Sequence, residues 1–241
     1  MEKYGDERPM SAAEENAVLR FLDLAGHDLR NPIAVMKSQV QLLQRRFERE
    51  ERAAADIEDL ARIAYQIERL RSGLDTFLEA ARIGQGRFAL MAERCDLTAI
   101  ARRTVKTYQV ASRAHRITLQ TPEEPIVARW DSMRVELVLA TLLSNALRYS
   151  SGGDVRVVLT REPTVARVTV TDSGVGIPPG EEEAIFGEYA TGSNTENSGA
   201  GLGLYVVRTI VRGHGGDIGV TSPADAGASF WFTLPLAGIA A

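Results

Sequence analysis

Two runs of apolar residues at helical spacing decide what this chain can fold into. In the first, Val18, Leu22, Ala25, Leu29, Ile33, Met36, Val40, Leu43 and Phe47 are separated by 4, 3, 4, 4, 3, 4, 3 and 4 residues. That is a heptad seam with one four-residue stutter between Leu29 and Ile33. In the second, Leu60, Ile63, Ile67, Leu70, Leu74, Phe77 and Ala81 repeat at 3, 4, 3, 4, 3 and 4. A polar, charge-rich turn over residues 48–54 separates the runs, so they predict a helical hairpin. A single hairpin leaves much of its apolar surface uncovered, and pairing two of them into a four-helix bundle buries it. The chain is therefore expected to be a homodimer.

The hairpin's limits are marked by local chemistry. Residues 1–10 are polar and expected to be disordered, and Ser11-Ala-Ala-Glu14 has capping-box spacing, which starts the first helix. Pro32 removes a backbone donor and is expected to kink that helix. Gly84-Gln85-Gly86 reads as a C-cap followed by a hinge over residues 85–87. The hairpin module thus spans residues 11–84.

Within the first seam, His27 falls between seam positions and points outward. Asp28 follows it, and Asn31, four residues on, shares its face, with Arg30 alongside. A histidine displayed beside an acid, just before a proline, presents a nucleophile. The same string also fits a merely solvated histidine, so residues elsewhere must decide.

Beyond the hinge the periodicity changes. A second module over residues 88–241 is expected to open with a short strand at 88–92 and a helix from Asp96, its N-cap, to about Ala111. Strands at 117–120 and 126–130 come next, then a helix from Asp131 to Tyr149. Residues 155–160 and 166–171 alternate like a β-hairpin. A Gly- and Ser-rich stretch over 173–203 leads into a helix at about 202–212 and two closing strands at 217–221 and 229–234. A helical start followed by mixed elements makes this an α+β chain, a helical hairpin joined to an α/β sandwich.

Three segments of the second module carry chemistry. The helix ending Asn145-Ala-Leu-Arg148-Tyr149 aligns an amide, a guanidinium and a ring along one edge. An amide oxygen suits Mg²⁺, a guanidinium pairs with phosphate, and the ring can cover a base. The strand ending at Asp172 runs into Ser-Gly174-Val-Gly176, a carboxylate followed by a flexible turn, and such a carboxylate can accept from an adenine amino group. Gly199-Ala-Gly201-Leu202-Gly203 opens a helix, where glycines let backbone N–H groups approach phosphates at an electropositive helix start. Each segment alone also fits an ordinary turn or tight packing.

The rest of the composition narrows the classes. Twenty-eight Lys and Arg stand against 32 Asp and Glu, for a formal charge of −4, and no basic block argues for nucleic acid as a partner. Cys95 is the only cysteine, which precludes an internal disulfide and fits a reducing compartment. No apolar run reaches membrane-span length and residues 1–9 lack a signal peptide's apolar core. A soluble, cytoplasmic chain is expected, either on its own or as the cytoplasmic part of a longer membrane-bound receptor.

In this order, the three segments resemble the ATP-binding domain of sensor histidine kinases, within the superfamily of gyrase, heat-shock chaperone, histidine kinase and MutL ATPases. Phe21-Leu-Asp-Leu-Ala-Gly-His27-Asp-Leu-Arg-Asn31-Pro-Ile-Ala-Val-Met36 resembles that family's phospho-acceptor box. Phe186, in Ala-Ile-Phe-Gly-Glu-Tyr189, matches its short Phe-containing box, and Asp131-x-x-Arg134 the start of its Asn helix. The resemblance covers about Ser11 to Pro235.

It implies that His27 takes the γ-phosphate of ATP through a ring nitrogen, with Asp28 as general base or orienting group. Asn145 would hold Mg²⁺, Arg148 a phosphate and Asp172 the adenine, while Gly187–Gly199 would be a lid over the nucleotide. Asn31 would orient a water that removes the phosphate from a response regulator's receiver domain. The chain departs from the pattern twice. Thr141 stands where the family often has Asn, four residues before the Mg²⁺ ligand, and no Lys or Arg lies between Gly174 and Val207. Losing one charge-assisted contact of ~1.5–3 kcal/mol slows chemistry roughly ten- to two-hundredfold. The competing expectation is an ATP-binding scaffold or regulatory phosphatase module with negligible kinase activity.

Overall fold

The computed structural model describes residues 54–112, 115–150, 152–190, 201–223 and 226–238, together with positions 33, 36, 38 and 40, which are helical. The expected capping box at Ser11, the turn over 48–53, and His27, Asp28 and Asn31 lie outside the described residues.

Helix α1 (Ala54–Gly84) carries the second seam. It ends in a closure where Gly86 N–H donates to the Ile83 carbonyl and Arg87 N–H to the Arg82 carbonyl, each at 2.9 Å. This pairing needs a left-handed residue after the helix, and Gly86, with φ +66°, supplies it. The seam is open to solvent: Leu60, Ile67 and Leu74, seven residues apart, are 57%, 53% and 43% exposed. Ile33 and Val40, at the same interval, are exposed too. The opposite, largely polar side of α1 is buried instead, at Gln66, Ser72, Thr76, Glu79 and Ala80, where it packs across three helices of the second module.

That module contains β1 (Glu93–Asp96), α2 (Leu97–Ala111), β2 (His115–Gln120), β3 (Val127–Trp130), α3 (Ser132–Tyr149), β4 (Gly153–Arg161), β5 (Val165–Thr171), α4 (Gly203–Gly213), β6 (Ile218–Thr221) and β7 (Ser229–Pro235). Five strands form one sheet in the order β2-β4-β5-β7-β6, antiparallel except for the β2–β4 pair, and β1 pairs separately with β3. The parallel pair is possible because α3 crosses over between β2 and β4.

Alternation decides which sheet face is covered. Val155, Val157 and Leu159 of β4, Ala166, Val168 and Val170 of β5, and Phe230 and Phe232 of β7 are buried. They meet Leu139, Leu142, Leu143 and Ala146 of α3 and Val206, Val207, Ile210 and Val211 of α4. Asp96 caps α2 by accepting from Thr98 N–H and Ala99 N–H, and Asp131 caps α3 through Arg134 N–H. His214, fully buried, ties the end of α4 to the start of α3. Its Nδ1 donates to the Ile210 carbonyl at 2.8 Å, which leaves Nε2 to accept from Asp131 N–H at 3.0 Å.

The strand expected at 88–92 does not form; β1 begins at Glu93. The hydrogen-bonding groups of this stretch are engaged elsewhere. Met91 N–H donates to Asp131 Oδ2, and the Ala89 carbonyl accepts from Arg134. Phe88 packs where a side chain at Gly213 would stand.

Candidate nucleotide-binding site

Helix α3 brings Asn145, Arg148 and Tyr149 to its C-terminal turns, where all three are half-buried. The Arg148 guanidinium lies 5.5 Å from the centre of the Tyr149 ring. The turn after β5 is laid directly on this helix end. A Cβ at Gly174 would stand 2.5 Å from the Tyr149 carbonyl oxygen, and Val175 N–H donates to that same oxygen at 3.3 Å. Only glycine permits this approach, which is why the acid-tipped strand and the Asn helix share one site.

Asp172 sits at the floor, 6% exposed. Its Oδ1 accepts from Gly174 N–H at 2.8 Å and from Ala228 N–H at 3.4 Å, while Oδ2 accepts from none of the described residues. Burial raises its carboxyl above the usual range, partly offset by these two backbone donors. Gly227, with φ +75°, makes the second contact possible, since a Cβ there would lie 2.1 Å from the Asp172 carbonyl oxygen. Ser222 closes the far side: its Oγ accepts from Ile177 N–H at 2.8 Å and donates to the Gly227 carbonyl at 2.7 Å. Gly227, Ala228 and Ser222 carried no sequence signal of their own; the turn-forming Ser222-Pro-Ala-Asp-Ala-Gly227 run was the only available hint.

The glycine-rich helix start lies against the same helix. Gly203 begins α4, and a Cβ there would stand 3.3 Å from the Thr141 methyl, one turn before Asn145. Leu202, at the N-cap, is buried and offers no side-chain cap, so among the described residues the first amides of α4 have no side-chain acceptor. Gly201, with φ +67°, lets the backbone of Tyr189 and Ala190 pass within 2.5–2.8 Å of where its Cβ would be. The entry to the expected lid is thereby fixed at Gly201, and residues 191–200 lie outside the described ones. Phe186 is buried edge-on to Phe230 at 6.4 Å, with Arg208 5.9 Å from its ring.

This donor set fits a nucleotide with a magnesium ion. An uncapped helix N-terminus and Arg148 are suited to phosphate. The Thr141 hydroxyl, buried and close to Gly203, has no hydrogen-bond partner among the described residues. Among the described residues no group of three or more His, Cys, Asp or Glu could hold a metal. A cation here would take one amide oxygen and complete its shell from phosphate and water, as Mg²⁺ commonly does.

Comparison with known proteins agrees with this geometry. Residues 17–86 match the His Kinase A (phospho-acceptor) domain, and residues 130–238 the histidine kinase-, DNA gyrase B- and HSP90-like ATPase family. A probable sensor histidine kinase of Mycobacterium tuberculosis, TcrY, is 32% identical over 94% of this chain and 47% of its own length. The adaptive-response sensory kinase SasA of Thermosynechococcus vestitus is 31% identical over 90% of this chain and 60% of its own. The chain thus spans about half the length of these relatives.

Among solved structures, the mycobacterial sensor histidine kinase MprB matches with TM-score 0.55 and 28% identity over 61% of this chain and 98% of that one. ShkA, solved with AMPPNP, matches with TM-score 0.61 and 25% identity over 73% of this chain and 39% of that one. With a phospho-acceptor domain followed by an ATPase domain of this superfamily, the chain belongs to the sensor histidine kinase family.

Proposed function

We propose that the chain phosphorylates itself on His27 with ATP and passes the phosphoryl group to an aspartate of a response regulator. The observation that carries the reading is the convergence of Asp172, Asn145 and the uncapped start of α4 on one end of α3. Asp172 Oδ2 would accept from the adenine amino group, its Oδ1 being held by two backbone amides. Arg148 and the α4 amides would bind phosphate oxygens, and Tyr149 would cover the base. Asn145 would hold Mg²⁺, which when bound neutralises charge on the phosphates. The relative ShkA was solved with an ATP analogue, which supports nucleotide binding in the corresponding domain here.

In the transfer, an unprotonated ring nitrogen of His27 forms a bond to the γ-phosphorus while the bond to the bridging oxygen breaks and ADP leaves. Asp28 would take or hold the proton on the other ring nitrogen. Asn31 would orient a water that removes the phosphate from the regulator's receiver domain. The exposed residues at seven-residue spacing on α1 support dimerisation through a four-helix bundle.

The scaffold alternative draws on Thr141 and the lid without basic residues, and one assay separates the two. Incubation with Mg²⁺ and ATP labelled at the γ-phosphate should label the wild type and leave His27→Ala unlabelled; an unlabelled wild type with intact ATP binding would favour the scaffold.

A further inference from the structure

Helix α1 meets the second module largely through charged and polar groups, with Ala80 and, in part, Tyr65 and Ile83 joining the apolar core. Glu79 is 3% exposed, although Leu74 and Leu78 on the same helix are open to solvent. Its Oε1 accepts from Arg134 Nε at 2.7 Å and its Oε2 from Arg82 Nη1 at 3.2 Å. Arg134 also donates to Asp131 Oδ2 at 2.7 Å and to the Ala89 carbonyl at 2.5 Å, and lies 5.0 Å from the centre of the Phe88 ring. One guanidinium therefore grips the last turns of α1, the strap that follows it and the first turn of α3.

Fourteen residues back along α1, the Tyr65 phenol feels the charge of Arg148, which is fourteen residues on along α3. The two helices thus run antiparallel for roughly 20 Å, from the Arg134 end to the nucleotide end.

The chemistry of this contact is that of a joint made to open. Each buried carboxylate, Glu79 and Asp131, has the Arg134 guanidinium against it, and Glu79 also reaches Arg82, whose side chain stays largely in solvent. The joint's charged groups can return to water, which a wholly apolar seam cannot do without cost. The Tyr108 hydroxyl, buried in the same contact, lies beside Ser72 of α1. The two helix-end glycines beside the network, Gly84 and Gly86, have open space around them.

We propose that the Glu79–Arg134 pair is a latch. Closed, it holds α1 along the asparagine helix with the Tyr65 phenol near Arg148; opened, it frees the ATP-binding domain to swing about Gly84–Gly86 and carry nucleotide to His27. Only the last step rests on the kinase reading.

The test is Glu79→Ala in the full chain. Arg134 keeps its bonds to Asp131 and Ala89 in this variant, so the ATP-binding domain stays folded. Glu79→Asp retains the charge at shorter reach and serves as the conservative control. Tryptic cleavage after Arg87, followed by mass spectrometry of the fragment starting at Phe88, reports the state of the strap. Glu79→Ala should be cut several-fold faster and label His27 several-fold faster at unchanged ATP affinity, with Glu79→Asp between it and wild type. Unchanged cleavage overturns the latch, and so does faster cleavage with slower labelling, which would make the closed state the productive one. Faster cleavage with no label in any variant, wild type included, would uphold the closed contact and overturn the kinase reading instead.

Discussion

Asp172 offers a perturbation in which binding and stability should move in opposite directions. The residue is 6% exposed, and its Oδ1 alone takes the backbone donors of Gly174 and Ala228. In Asp172→Asn the amide oxygen keeps those two bonds and an NH₂ replaces Oδ2, so the pocket loses its acceptor for a base amino group. A hydrogen bond to a charged group is worth about 1.5–3 kcal/mol. ATP affinity should therefore fall roughly ten- to two-hundredfold.

Stability should not follow. Burial raises the Asp172 carboxyl above its ordinary 3.8, so the group favours the folded state below about 3.8 and loses that contribution as pH rises through its folded value. At neutral pH the ionised carboxylate is a net cost, which the neutral amide removes. Titration calorimetry with ATP and Mg²⁺, paired with thermal unfolding at pH 7, reads both quantities. Weaker binding with an equal or higher Tm is the expected result. Wild-type affinity, or a fall in Tm that accompanies the lost binding, would refute the assignment.

Three further outcomes are expected. Asn145→Ala should bind ATP equally with and without Mg²⁺, because the amide oxygen is the residue proposed to hold the ion; a retained Mg²⁺ dependence of the calorimetric Kd would reject it. His214 is held neutral, its ring depressed below 6.5 chiefly by burial, so its contribution to stability is complete above about 6.5 and lost as pH falls below that value. Tm measured against pH should accordingly drop on the acid side in wild type and less so in His214→Gln; equal slopes would show that another group titrates. Leu74→Asp places a charge in the exposed seam and should shift sedimentation from dimer to monomer, at a cost on the order of several kcal/mol to association; an unaltered dimer would put the interface elsewhere.

What could be read from the sequence was local. Asp96 and Asp131 announce their helices because an N-cap acts within three residues, and the alternation of 155–160 and 166–171 reveals a hairpin because strand period is set by the backbone. Asp172 and Gly174 stood out as an acid at a strand end followed by a glycine turn, and the structure shows why Gly174 is needed: a side chain there would strike the end of α3. The parallel pairing of β2 with β4 was hidden, since it depends on how α3 crosses between them. So were Ala228, which contributes only its backbone N–H, and Glu79, which in a charge-rich helix reads as solvated until Arg134, 55 residues on, is brought against it. The strand expected at 88–92 was lost to the same cause, because Arg134 and Asp131 capture its backbone groups.

The central claim is that one chain holds both the nucleotide site and the residue that receives its phosphate. Proteolysis at neutral pH after reaction with ATP and Mg²⁺, followed by mass spectrometric mapping, tests it most directly. The account predicts a single phosphate, labile to acid, on His27, absent when Asn145→Ala removes the proposed ion ligand. Phosphate on any other residue, or on His27 at the wild-type level in Asn145→Ala, would contradict it.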